Sequence, residues 1–110
     1  MGITKTSYFS LEQNEFAVKL KAMAHPARIA ILEFLLKSND CICGDIVNEL
    51  PLSQASISQH LRELKDAGLI KGTIEGKSIC YCIDQMAFTA LTKKITAIEQ
   101  KLLKKNKKCC

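Results

Sequence analysis

The sequence predicts a mainly α-helical domain carrying a small β-hairpin. Three observations predict it. Apolar residues recur at helical spacing over most of the chain. The period falls to two in the stretch "LIKGTIEGKSICYCID", residues 69–84. The 110 residues make a single domain by length, and a domain of that size has a modest core that partner chains often complete.

Each element has a local reason. Ser10 reads as an N-cap, and Gln13 three residues on completes a capping box. The first helix then runs to about Met23, with Phe16, Leu20 and Met23 on one face. The second begins at "HPARIAILEFLLKS", where Pro26 suits a first turn that needs no N–H. Ile29, Leu32 and Leu36 with Ile31 and Leu35 give it a broad apolar face. "NDCIC" breaks the helix and reads as a short strand or extended link. "GDIVNEL" gives about two further turns with Ile46, Val47 and Leu50 inward. Pro51 stops it, and Ser53 is placed to cap the next helix, "QASISQHLRELKDAG". There Ile57, Leu61 and Leu64 share a face, and Gly68 ends the helix in a left-handed turn.

The period-two stretch reads as strand, tight turn at Glu75-Gly76, and strand. In its second strand Ile79, Tyr81 and Ile83 point one way and Ser78, Cys80 and Cys82 the other. A last helix spans about Gln85 to Lys104. Its Phe88, Leu91, Ile95, Ile98 and Leu102 are spaced as a seam for another helix. This order predicts a winged helix-turn-helix with about five helices and a two-stranded wing. Residues 1–104 form the domain, with dimerisation helices at its two ends, and residues 105–110 a flexible Lys/Cys tail.

Such an architecture puts the N-terminal end of its second short helix into a DNA major groove. The outward positions there are Gln54, Ala55, Ser58, Gln59 and Arg62, with Ser53 and Ser56 at the tip. Gln pairs with adenine and Ser reaches base edges or phosphate. Lys77 lies in the wing turn, placed for backbone or minor groove. The competing reading is a plain solvated helix face. His60 borders the buried face and reads as a packing or hydrogen-bonded residue rather than a ligand or base reader. The net charge of +5 says little, because residues 91–110 carry seven lysines against Glu99.

The six cysteines fall in three close pairs, Cys41/Cys43, Cys80/Cys82 and Cys109/Cys110. Pairs so close would staple little chain entropy but present two thiolates to one soft ion. Small buried hydrophobes, structural filler in the wing and a functionless end are the competing readings of the three pairs. No run of eighteen apolar residues predicts a membrane helix, and no secretory signal is expected, so the chain reads as cytoplasmic. No acid–base or nucleophile constellation is recognisable, and there is no C-x-x-C. An enzyme is therefore not expected, and a thiol metal carrier stands last among the alternatives.

The stretches "KAMAHPARIAILEFL", "GDIVNELPLSQASISQHLRELKDAGLI" and "EGKSICYCI" resemble the ArsR/SmtB family of winged helix-turn-helix metalloregulatory repressors, over about residues 16–84. The resemblance implies a homodimer built from the first and last helices, bound to double-stranded operator DNA until a metal or metalloid releases it. It places DNA reading on Gln54, Ser56, Ser58 and Gln59. Many family members carry E-L-C-V-C-D-L before the third helix, with thiolates that take arsenite, lead or cadmium. "DCICGDI" is similar, but with Asp45-Ile46 aligned its cysteines fall one residue early, and with the cysteines aligned one residue is inserted before the helix. Cys41 and Cys43 are the first candidate ligands, with Cys80, Cys82, Cys109 and Cys110 as further donors. As(III), Cd(II), Pb(II) or Zn(II) are the candidate inducers, with no constitutive cofactor. A thiol redox switch on the same repressor is the alternative.

Overall fold

Ser10 opens the first helix. In the computed structural model, which describes residues 8–37, 41–43, 50–75 and 78–105, its hydroxyl accepts from the Gln13 N–H, and the Gln13 side chain accepts from the Ser10 N–H. The helix that follows, α1, spans Leu11–Met23. Next come α2 (Pro26–Leu35), β1 (Ile42–Cys43), α3 (Gln54–Asp66), β2 (Ile70–Glu75), β3 (Ser78–Ile83) and α4 (Gln85–Lys104). The fold class is the expected one: mainly helical, with a β-hairpin wing behind a recognition-type helix.

Four helices lie among the described residues. The extra helix expected over Gly44–Leu50 falls on residues 44–49, outside them. The two-residue β1 adds itself to the wing, giving an antiparallel sheet of order β1-β3-β2. Its register pairs Ile42 with Tyr81 and Cys43 with Cys80. On the other side Ile70 pairs with Ile83, Lys71 with Cys82 and Gly72 with Tyr81.

The core is the meeting of α2, α3 and the sheet. Ile31, Ile57, Leu64 and Leu69 are fully buried, with Leu32, Leu35, Leu61, Ala67, Ile70, Ala22 and Leu91 around them. Tyr81, Ile83 and Ile42 pack against this cluster from one face of the sheet. A buried Leu at such a site is worth about 2–5 kcal/mol against Ala. Three apolar positions depart from expectation. Ile29 and Leu36 on α2 are 39% and 70% exposed, and Leu20 on α1 is 39% exposed. Ile31, Leu32 and Leu35 are the buried residues of α2, so its apolar surface is wider than the side that enters the core.

Chain reversals follow local chemistry. Ser53 caps α3, accepting from the Ser56 N–H at 3.1 Å. Gly68 takes φ 83° just after the helix, a left-handed conformation that costs an L side chain. Asp84 caps α4 by accepting from the Ala87 N–H. At the far end of the molecule Lys94 of α4 meets Glu12 of α1 at 3.0 Å. This hydrogen bond and charge hold the Glu12 carboxyl below its usual range.

Candidate nucleic-acid interface

α3 divides cleanly by side. Ile57, Leu61 and Leu64 go into the core, at the i, i+4 and i+7 positions of one face. Gln54, Ala55, Ser56, Ser58, Gln59 and Arg62 are all exposed. No part of the described chain covers the Ser58–Gln59 side.

The tip is organised by hydroxyls. Ser53 Oγ accepts from the backbone of Ser56 and donates to Ser56 Oγ over 3.1 Å. The capped N-terminus therefore presents two hydroxyl groups held together, backed by the small Ala55. Farther along, Gln59 Nε2 donates to Glu63 Oε1 over 3.2 Å, one turn on. The Gln59 side chain is exposed, and its amide oxygen is not used in that bond. Ser53, Gln54, Ser56, Ser58, Gln59 and Arg62 thus lie together on one helix. Lys77 falls outside the described residues.

Two histidines anchor this helix to α2. His25 is the N-cap of α2, its Nδ1 accepting from the Ala27 N–H at 3.0 Å. His60 of α3 accepts at Nδ1 from Arg28 Nε over 3.2 Å. The rings sit with centroids 4.5 Å apart, and Arg28 Nη1 also donates to the Ala22 carbonyl. With both Nδ1 atoms used as acceptors, the neutral rings carry their protons on Nε2. This tautomer leaves neither ring a free lone pair for a metal. The hydrogen-bonded role expected of His60 holds. His25 and Arg28 are its partners, which the sequence did not reveal, because Arg28 lies thirty-two positions away.

The cysteines assemble differently from their sequence pairs. Cys41 and Cys82 form a disulfide with Cα atoms 4.6 Å apart, the spacing of directly opposed, non-hydrogen-bonded residues. Cys41 is exposed and Cys82 half-buried. Cys80, on the opposite strand face from Tyr81, is fully buried and also disulfide-bonded. Its backbone partner across the ladder is Cys43, whose side chain lies outside the described set. Cys80 and Cys82 do lie on the sheet face opposite Tyr81 and Ile83, as alternation requires. Cys109 and Cys110 fall outside the described residues. No cluster of three His, Cys, Asp or Glu groups suited to a metal occurs among the described residues. No described helix is long and apolar enough to cross a membrane.

Comparison with known proteins gives a consistent picture. The family model for bacterial regulatory proteins of the arsR family matches residues 25–71. The chain is 33% identical over 89 residues to the HTH-type transcriptional regulator YgaV of Escherichia coli (strain K12), covering 81% of this chain and 90% of that protein. It is 33% identical over 95 residues to the transcriptional repressor PagR of Bacillus anthracis, covering 86% and 93%. Its fold matches a structure described as reduced HlyU from Vibrio cholerae N16961, with TM-score 0.60 and 27% identity over 79% of this chain and 90% of that one.

Proposed function

Because this chain belongs to the bacterial arsR family of DNA-binding transcriptional regulators, we propose that it is a cytoplasmic, homodimeric repressor released from its operator when the Cys41/Cys82 thiols are oxidised. Family members of this kind are regulators rather than enzymes. The DNA-reading surface is the outward side of α3: Ser53, Gln54, Ser56, Ser58, Gln59 and Arg62, with Lys77 from the wing. Its exposure supports this reading.

One observation carries the regulatory half: the disulfide from Cys41 to Cys82. It closes a covalent ring around residues 41–82, which hold the whole reading helix and both strands of the hairpin. In the reduced chain β1 is held to β3 by backbone pairing and by the packing of Ile42 and Tyr81. Oxidation makes that tie covalent and fixes wing and helix as one body. A peroxide supplies the chemistry. One thiolate takes a hydroxyl group from hydrogen peroxide to give a sulfenic acid, with the other oxygen leaving as hydroxide, and the second thiol then displaces that hydroxyl as water to close the disulfide. Release then requires that the two states differ in operator affinity by about 1–3 kcal/mol or more.

A second reading keeps the repressor and makes a soft ion the inducer. It is favoured by Cys80 standing two residues from Cys82 on the same face as Cys41. Three thiolates so placed suit As(III) or Pb(II), while Cd(II) or Zn(II) want a fourth donor. In the present state the donor set does not fit a metal, since Cys41 and Cys82 are bonded to each other and Cys80 is disulfide-bonded. The redox reading therefore leads.

A gel shift on the chain's own upstream DNA separates the two. Peroxide should release the protein, added reductant should restore binding, and Cys41→Ser or Cys82→Ser should bind DNA yet ignore peroxide. Release by arsenite or cadmium in excess reductant, with no response to peroxide, would replace the first reading by the second.

A further inference from the structure

Lys71, Cys82 and Cys41 make one transverse row across the sheet. Lys71 of β2 is paired directly with Cys82 of β3. The β1–β3 register, Ile42 with Tyr81, sets Cys41 opposite Cys82 on the other side. Directly opposed residues of an antiparallel pair share a face, with Cβ atoms about 4.5–5.5 Å apart. The row therefore reads Lys71, then Cys82 in the central strand, then Cys41 at the edge. Its two ends are exposed and its middle is half-buried.

We propose that Cys41 is the residue on which this protein forms a mixed disulfide with a low-molecular-weight thiol, and that Cys82 is the departing sulfur, its charge held by Lys71. The proposal rests on the reading of Cys41 and Cys82 as a switching pair. It adds which sulfur is attacked, by what class of molecule, and which side chain assists.

Two independent features select the same sulfur. The first is the line of approach. A thiolate attacks a disulfide along the S–S axis, from behind the sulfur it will bond. Cys41 is the exposed sulfur of the pair, at the β1 edge of the sheet, whereas Cys82 is half-buried in the central strand, with β2 on its other side. The second is charge. Exchange leaves a negative sulfur behind, and a nearby ammonium stabilises it. Lys71 is the direct cross-strand neighbour of Cys82, whereas Cys41 is one strand farther from it.

The exchange balances. The incoming thiolate forms a bond to Cys41 Sγ, the Cys41–Cys82 bond breaks, and its electron pair leaves on Cys82 Sγ. A second thiol molecule, deprotonated, attacks the outer sulfur of the adduct. It departs with the first as a small-molecule disulfide and leaves Cys41 as a thiolate. Two electrons pass to the protein, and two small thiols are oxidised to one disulfide. In reverse, the Cys82 thiolate attacks the adduct at Cys41, expels the small thiolate and closes the protein disulfide.

Glutathione is the probe. The oxidised full-length chain is mixed with it at neutral pH, quenched in acid at intervals, and the adduct is located by fragmentation of the peptides. Glutathione should appear on Cys41 early in the reaction. In Cys82→Ser treated with glutathione disulfide, the Cys41 adduct should persist. Lys71→Gln should slow reduction of the Cys41–Cys82 bond about three- to tenfold, and Lys71→Arg should restore it. Lys71 is exposed, so neither variant should disturb the fold. First adduct on Cys82, or an unchanged rate in Lys71→Gln, overturns the proposal. These readouts contain no DNA, so failure of operator release by oxidation would leave them untouched.

Discussion

Arg28 of α2 donates its Nε–H to His60 Nδ1 on the reading helix, 3.2 Å away. The bond needs an unprotonated Nδ1, and so does the His25 cap beside it, which accepts from Ala27. α3 is thus fastened to α2 through a group that must stay neutral.

That requirement gives a pH dependence with a definite sign. Burial holds His60 below the ordinary imidazole value. The neighbouring His25 and then Arg28 add to the shift, and Glu63 opposes it. The folded chain binds this proton less readily than the unfolded chain. The contribution to stability is therefore complete above the ordinary value of about 6.5 and is lost as pH falls below it toward the depressed folded value. Urea midpoints should drop between pH 7.5 and pH 5.5 in the wild type and drop less in His60→Gln. Equal slopes in the two proteins would remove His60 as the cause.

Gln59 stands exposed with its amide nitrogen on Glu63, and its amide oxygen can accept from a base edge. Gln59→Ala should weaken binding to the upstream DNA by about 1–3 kcal/mol, measured by fluorescence anisotropy at fixed salt. Circular dichroism and sedimentation should be those of the wild type. Unaltered affinity would move the reading face elsewhere on the helix.

Gly68 offers a test of backbone conformation free of packing. Its φ is 83°, yet a Cβ there would meet nothing nearer than Lys19 Nζ at 4.0 Å. Gly68→Ala should therefore cost only the left-handed penalty, about 1–2 kcal/mol in chemical denaturation. A loss much larger than this would show that the turn, and not just the residue, had been rebuilt.

What was legible in the sequence was local. Ser10 with Gln13, Pro26, Ser53 and Gly68 each act within a few residues of themselves, and the helices they bound lie where spacing puts them. Long-range pairing was not legible. Cys41 meets Cys82 across 41 positions, through a strand of two residues whose register no pattern encodes. Grouping cysteines by sequence neighbours therefore set Cys41 with Cys43, although alternation alone already put Cys80 and Cys82 on one face. Ile29 and Leu36 were misjudged for a related reason: periodicity shows that a helix face is apolar but not what covers it.

The seam on α4 is the remaining case of an apolar surface without a cover. Leu91 is buried, but Ile95, Ile98 and Leu102 farther along are 47%, 59% and 61% exposed. Leu11 and Val18 of α1 are exposed as well, and the Glu12–Lys94 ion pair ties the two helices side by side. Aliphatic side chains at seam spacing gain about 25 cal/mol per Å2 when a partner removes them from water. A second copy of the chain brings an identical seam, as a two-fold interface requires. Ile98→Glu puts a charge into that contact without touching the core. It should convert the dimer to a monomer in sedimentation equilibrium, keep the helical circular dichroism, and lose most of the operator affinity, since each half of a palindromic site would then be bound alone. A wild-type chain that sediments as a monomer at micromolar concentration would remove the dimer, and an Ile98→Glu variant that remains dimeric would place the interface on another surface.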